Sequence, residues 1–128
     1  MPTLNKLPFT VVLVALALAS PANAAWIDGK NAQLQALDKI TARISTLSAP
    51  IGEAIGFGTL RITVQRCAYR PPEDPPEDAG FLEIIDRGHD DNIEGKTVFS
   101  GWMFSSSPAV SALEHPVYDI TLLGCLAD

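Results

Sequence analysis

Three consecutive serines, followed by a histidine and an aspartate, are the residues of this chain most readily assigned to chemistry. Ser105, Ser106 and Ser107 precede His115 and Asp119, and these are the three residue types of a hydrolase triad. The sequence has no Gly-x-Ser-x-Gly turn that would expose a nucleophile between a strand and a helix. A small hydrolase using these five residues is therefore kept as an alternative interpretation.

Oxygen-bearing side chains also alternate in a second segment. Asp90, Asn92 and Glu94 are followed by Gly95, a pattern typical of the first half of a calcium loop. The position expected to hold the closing glutamate is Gly101, so the second half of the motif fails. A cation-binding module at these three residues is a further alternative, and a polar hairpin loop explains the same pattern.

The two cysteines, Cys67 and Cys125, are expected to form a disulfide. Two thiols in a small domain usually pair in an oxidising compartment, and a loop of about 58 residues closed in this way contributes roughly 4 kcal/mol in the chain-entropy model. A redox pair or a metal site is the rival interpretation. The spacing lacks the Cys-x-x-Cys pattern of redox motifs, and no pair of histidines accompanies the cysteines.

Aromatic and polar residues are concentrated near the C-terminal third of the chain. Aromatic side chains bury a large area and anchor either a core or an interface. Because only 7% of the residues are aromatic, we expect these side chains to fill the core before they serve an interface. Strand alternation would nevertheless place Trp102 and Phe104 together on one face. The candidate interaction surface comprises Trp102, Phe104, Glu114, His115, Tyr118 and Asp119.

The stretch 31–47 permits two interpretations. Leu34, Leu37, Ile40 and Ile44 recur at three- and four-residue intervals, which favours an amphipathic helix. The β-branched residues of 40–47 alternate with polar neighbours, which favours a strand. We favour a strand over 39–48, and a helix in the first part remains an open alternative.

The rest of the chain reads mainly as strands. Alternation and turn residues predict strands over 59–69, 81–86, 96–104 and 117–125. Two copies of Pro-Pro-Glu-Asp, residues 71–78, predict an extended acidic loop, because proline lacks an N–H and restricts the residue before it. Ser107 followed by Pro108 predicts a short helix ending at Leu113. The expected fold is all-β, a small antiparallel sandwich or partly open barrel with one short helix.

The N-terminal residues have the features of a secretory signal peptide. Lys6 precedes an apolar run of about eleven residues, shorter than the ~20 that span a bilayer, and Ala22-Asn23-Ala24 fits a signal peptidase. We expect cleavage after Ala24, with Ala25 as the alternative site and an uncleaved anchor as the rival interpretation. Residues 25–128 then form a single β-rich domain.

The charge balance excludes some classes of partner. The net charge is −6, and removal of Lys6, the sole charged residue of 1–24, takes it to −7. Nucleic acid and anionic membrane surfaces would repel such a chain. No integral membrane span and no cofactor are expected.

Several segments together resemble the bacterial domain-of-unknown-function family 2155. They are 37–41, 57–60, Cys67 with 70–73, Phe99-Ser100-Gly101-Trp102-Met103-Phe104, 107–109 and 113–119 ending at Cys125. The resemblance covers nearly all of the chain after the leader. It implies an exported protein of alphaproteobacterial type with a cysteine at each of the two positions, and it brings no reaction, cofactor or catalytic residue.

The sequence therefore predicts a periplasmic structural or interaction module that binds an envelope protein through the aromatic segment. The small hydrolase and the cation-binding module are the alternatives. The sequence leaves open the identity of the partner and the oligomeric state.

Overall fold

The computed structural model describes residues 25–89, 94–109 and 111–128. Within these residues the backbone forms nine strands: β1 (Ile27–Asp28), β2 (Asn31–Asp38), β3 (Arg43–Pro50), β4 (Ala54–Phe57), β5 (Leu60–Tyr69), β6 (Asp78–Asp86), β7 (Lys96–Phe104), β8 (Leu113–Glu114) and β9 (Tyr118–Leu126). The leader predicted for residues 1–24 lies outside the described residues.

The strands form two antiparallel sheets. The first has the order β1-β5-β6-β7, with β4 also paired to β5, and the second has the order β3-β2-β9-β8. Alternate side chains of both sheets point inward, and Leu34, Ile62, Leu82 and Ile120 are fully buried in one shared core. The all-β antiparallel prediction is confirmed, and the two sheets form a sandwich rather than a closed barrel.

The short helix predicted from Ser107 to Leu113 is not found among the described residues. The Ser107 N–H bonds the Phe104 carbonyl in a turn, and Leu113 pairs with Ile120 as part of β8. A segment this short forms a helix only with tertiary support. Because Leu113, at the end of this segment, pairs with β9, the backbone there belongs to a strand and not to a helix.

The segment 31–50 is a hairpin, so the helix considered for its first part is wrong. Its buried side chains follow a period of two, as in Ala32, Leu34 and Ala36. The strand favoured over 39–48 is correct only from Arg43 onward. The Asp38 carboxylate accepts hydrogen bonds from the backbone N–H groups of residues 40 and 41 at 2.9 and 3.2 Å. These bonds stabilise a turn over 39–42.

The other predicted strands are confirmed as β5, β6, β7 and β9 with shifts of a few residues at their ends. The sequence interpretation missed β1, β4 and β8, which are only two to four residues long. Strands this short carry too few alternating residues for periodicity to be recognised.

Each end of the molecule has its own link between the sheets. At the end that we call the disulfide end, Cys67 in β5 is bonded to Cys125 in β9, with their Cα atoms 5.6 Å apart. At the opposite end, which we call the histidine end, His115 beside β8 bonds Asp86 at the end of β6. The first link is covalent and the second is polar.

Candidate functional site

The structure separates the three serines from His115. Ser105 Oγ donates to Asp78 Oδ2 at 3.2 Å, whereas His115 Nε2 lies 2.7 Å from Asp86 Oδ2. Asp78 and Asp86 are the first and last residues of the nine-residue strand β6, which places them about 27 Å apart at ~3.4 Å per residue. The serines and the histidine therefore occupy opposite ends of the molecule.

Both ring nitrogens of His115 are engaged. The Val117 N–H donates to Nδ1 at 3.0 Å, so Nδ1 is an acceptor and Nε2 carries the proton that is donated to Asp86. The ring also stacks on Tyr118, with centroids 5.5 Å apart. A histidine held in this way has no nitrogen left to activate a serine.

Asp119, the third member of the considered triad, has another partner. Its Oδ1 lies 2.7 Å from Lys39 Nζ, and the same ammonium donates to the His115 carbonyl at 2.9 Å. Asp86 rather than Asp119 thus bonds the imidazole. Glu114 is exposed on β8 opposite Asp119.

The Asp86 carboxyl is stabilised in its ionised form. Burial alone would raise its pKa, but hydrogen bonds from the Gly88 N–H, the Thr59 hydroxyl and the His115 ring outweigh burial and lower the pKa. The Gly88 N–H lies 2.9 Å from Oδ1. Asp86 therefore connects the end of β6 to the second sheet through its hydrogen bond with His115.

The candidate cation site falls largely outside the described residues. Asp90 and Asn92 lie there, and Glu94 is exposed just before β7. Across residues 25–89, 94–109 and 111–128, no group of three or more histidine, cysteine, aspartate or glutamate side chains is arranged to hold a metal ion.

The predicted interaction surface divides into two parts. Tyr118 is buried at 9% exposure and packs edge-on against Phe57, with centroids 5.4 Å apart. It therefore belongs to the core of the histidine end. Trp102 and Phe104 lie on the outer face of the first sheet, toward the disulfide end.

Around Trp102 and Phe104 the outer face forms a cleft of about 250 Å³, which we call the aromatic cleft. Its lining residues are Trp26, Arg66, Ala68, Ala79, Trp102 and Phe104. Trp26, Trp102 and Phe104 are 37%, 41% and 38% exposed. These three aromatic side chains present apolar surface to solvent around a concave site.

Strand register explains the shape of the aromatic cleft. On β7, Met103 points into the core while Trp102 and Phe104 point outward. Phe104 is opposite Ala79 on β6, and Ala79 is opposite Ala68 on β5. The two alanines form a low floor between taller aromatic side chains.

Two arginines border the aromatic cleft. The guanidinium of Arg70 lies 4.2 Å from the centroid of the Trp26 ring, a cation–π arrangement. Arg66 Nε lies 3.1 Å from Asp28 Oδ1, and both side chains are largely exposed. Two guanidinium groups therefore lie at the rim of the cleft, and the Asp28 carboxylate offsets the charge of one of them.

The sequence interpretation missed Trp26, the two arginines and the alanine floor. Trp26 lies 76 positions from Trp102 along the chain, and only the pairing of β1 with β5 brings it to this face. One signal was available, since Trp26 and Trp102 are the only tryptophans of the chain. Neither is needed to fill the core.

Within the described residues, no helix has the length and apolar character required to span a membrane.

Comparisons with known proteins agree with the resemblance found in the sequence. Residues 32–125 match the family described as "Uncharacterized protein conserved in bacteria (DUF2155)". The chain is also 32% identical over 95 residues to uncharacterized protein RP359 of Rickettsia prowazekii (strain Madrid E), covering 74% of this chain. It spans 60% of the length of that relative. No solved structure matches the chain.

Proposed function

We propose that this chain, which belongs to the bacterial family DUF2155, is an exported, non-catalytic module that binds a cell-envelope partner through its aromatic cleft. The observation that carries the proposal is the set of three half-exposed aromatic side chains, Trp26, Trp102 and Phe104, around one concave site. Exposed apolar patches of this kind mark interaction sites more often than scattered single residues do.

The composition of the aromatic cleft supports recognition of a protein partner. Tryptophan and arginine are enriched among the residues that dominate binding energy at interfaces. In the cleft, Trp26 and Trp102 stand beside Arg66 and Arg70. Because the small side chains of the floor leave the aromatic walls accessible, a partner would desolvate the walls on binding without moving the backbone.

The non-catalytic part of the proposal is supported by the arrangement of the polar residues. The serines of 105–107 and His115 are at opposite ends of β6, and both nitrogens of His115 are already bonded. The geometry does not favour the hydrolase alternative.

The proposed location is the periplasm. The features of residues 1–24 are those of a leader cleaved after Ala24, with residues 25–128 as the mature domain. The bond between Cys67 and Cys125 is of a kind that persists in oxidising compartments. The net charge of −6 is unfavourable for nucleic-acid binding.

Site-specific photocrosslinking tests this proposal. A benzophenone amino acid at position 104 keeps an aromatic ring in the aromatic cleft, and the same probe at position 44 is a matched control on the exposed side of β3, where Ile44 is 61% exposed. In cells, position 104 should yield a discrete adduct with an envelope protein and position 44 should not.

The adduct must also depend on the opposite wall of the cleft. Trp26→Ala should abolish the product at position 104 while the exported protein remains folded. Equal products from both positions, or a product that is insensitive to Trp26→Ala, would contradict binding through the cleft.

A further inference from the structure

A second distinctive surface lies at the disulfide end, beside the aromatic cleft. It is the loop between β5 and β6, which contains both Pro-Pro pairs, and we call residues 71–77 the proline loop. The Arg70 N–H bonds the Glu77 carbonyl at 3.0 Å and closes the base of the loop, while the Asp74 N–H bonds the Pro71 carbonyl in a turn at its tip. The loop is thus a compact projection.

Hydrogen bonds anchor the base of the proline loop, whereas its tip carries two acidic side chains. Glu77 accepts hydrogen bonds from Ser105, Ser106 and the Asp78 N–H, and these bonds outweigh desolvation and lower its pKa. Glu73 is exposed and Asp74 is half-buried. Two carboxylates therefore lie at the tip of the loop.

The proline loop does not fill the cleft of its own chain. Arg66, Ala68 and Ala79 line the cleft, but none of the residues of the loop does. Ala68 and Ala79 are directly paired at the point where β5 leaves for the loop and β6 returns from it. The loop and the cleft are therefore neighbours on the same end of the molecule.

The two surfaces complement each other in chemistry. Proline-rich segments bind in grooves lined by aromatic side chains, because proline restricts the backbone before binding and presents apolar ring faces. The carboxylates of Glu73 and Asp74 would meet the guanidinium groups of Arg66 and Arg70, a charge-assisted pairing.

We infer that the occupant of the aromatic cleft is the proline loop of a second copy of this chain. Because loop and cleft lie side by side on one end, a two-fold axis between them lets each copy place its loop in the cleft of the other, as an isologous dimer requires. This inference rests on the proposed function in taking the cleft as the binding surface, and it names the partner.

Sedimentation velocity and tryptophan fluorescence of the purified exported protein test the inference. The wild-type protein should pass from monomer to dimer as its concentration rises, and higher salt should shift this equilibrium toward monomer. Trp26 and Trp102 are the only tryptophans and both line the cleft. Their emission should therefore shift to shorter wavelength as the dimer forms.

Two variants should each remove the dimer. Trp102→Ala removes a wall of the cleft and leaves the loop intact, whereas Glu73→Lys with Asp74→Lys reverses the charge of the loop and leaves the cleft intact. Each variant alone should remain monomeric, while Ile44→Ala, an exposed apolar residue of β3, should dimerise as wild type does. A cooperative melting transition well above the temperature of the assay in each variant excludes unfolding as the cause.

Mixing the two variants provides the decisive measurement. The intact loop of the Trp102→Ala protein can enter the intact cleft of the charge-reversed protein, so a mixed dimer with one loop–cleft contact should form. The tryptophan emission of the charge-reversed protein should shift on mixing and not when either variant is concentrated alone.

Two results would overturn the inference: a wild-type protein that stays monomeric with constant emission, or a dimer that survives both variants. Neither result decides the broader proposal, because the photocrosslinking at position 104 detects an envelope protein in the cleft independently of self-association. A product from position 104 in a strictly monomeric protein would leave the proposed function standing and the dimer rejected.

Discussion

The two ends of the molecule both join the first sheet to the second, and they do so with different chemistry. At the disulfide end the Cys67–Cys125 bond joins β5 to β9, and the side chains next to it on the first sheet are Ala68 and Ala79. At the histidine end the link is the hydrogen bond between Asp86 and His115, covered by the buried ring of Tyr118.

The two ends also place their aromatic residues differently. At the histidine end Tyr118 excludes water from a polar link, which would weaken if it were solvated. At the disulfide end the link is a covalent bond that water does not weaken, and Trp26, Trp102 and Phe104 lie on the outer face of the first sheet. They remain half-exposed and available for binding.

The largest expected effect is on the covalent link. Replacing both Cys67 and Cys125 with alanine should lower the free energy of unfolding by about 4 kcal/mol, because the unfolded chain regains the entropy of an open loop of 58 residues. Urea unfolding of the oxidised wild type and the double variant measures this loss. Reductant should destabilise the wild type and leave the variant unchanged, and equal stability of the two proteins would contradict the comparison.

The next effect concerns the packing that covers the polar link. Gly58 has φ of +56°, and a Cβ there would overlap the Tyr118 phenol. Gly58→Ala should therefore cost about 3 kcal/mol, from left-handed backbone strain together with displacement of the ring.

Gly52→Ala is the matched control for this steric effect. Gly52 also has positive φ, +85°, but a Cβ there meets no atom within 4 Å. Its cost should be about 1 kcal/mol, from backbone strain alone. Thermal or urea unfolding of the two variants gives the difference, and equal losses would show that the Tyr118 ring is not tightly held.

A smaller and pH-dependent effect is expected for the polar link itself. The folded state lowers the pKa of Asp86, so its charge stabilises the fold above the unfolded value of about 4, and this contribution is lost as the pH falls through the folded pKa. Asp86→Asn should cost about 1.5 kcal/mol at neutral pH, and the difference from wild type should shrink below about pH 4.

Gly52→Ala serves as the control for the pH dependence, since it changes no ionisable group and its added Cβ meets no atom within 4 Å. Its deficit relative to the wild type should stay constant across the acid range. A constant deficit of the Asp86→Asn protein at all pH values would indicate lost packing rather than lost charge.

The smallest effect on stability should come from the aromatic cleft. Trp102→Ala loses an edge contact with Phe81 at 5.4 Å between centroids and should cost about 1 kcal/mol. Trp26→Ala loses the cation–π contact with Arg70 and should cost about 0.5 kcal/mol. Losses of several kcal/mol in the same unfolding assay would show that these rings are part of the core, and the contrast between the two ends would fail.

The sequence predicted the parts of the fold that depend on local periodicity. The alternation of Leu60, Ile62 and Val64 indicated β5 because alternate side chains of a strand point to one core, and the same reasoning applied to Tyr118, Ile120 and Leu122 in β9. The prediction failed at Ile40 and Ile44, which are 76% and 61% exposed. Their apolar character suggested burial. Ile40 instead lies in the turn that the Asp38 carboxylate stabilises, and Ile44 lies on the solvent-exposed face of β3.

The candidate site was predicted only in part, for a related reason. Trp102 and Phe104 were recognised as a pair on one face of a strand, since side chains two residues apart lie on the same side. His115 and Tyr118 were grouped with them because they follow in sequence, yet they lie at the other end of the molecule. β7 belongs to the first sheet and β9 to the second, so segments that follow each other in sequence lie apart in the fold.

The amino-acid sequence alone therefore determined the strand-rich class of this protein, the presence of an acidic proline-rich loop between β5 and β6 and the separation of inward from outward side chains on each long strand. These properties depend on neighbouring residues, through proline geometry and the two-residue repeat of a strand. Only the tertiary structure decided that Trp26 meets Trp102 over a floor of two alanines, and that His115 bonds Asp86 instead of a serine. Such contacts depend on which strands pair and in what register, and that is fixed by the burial of the whole core at once.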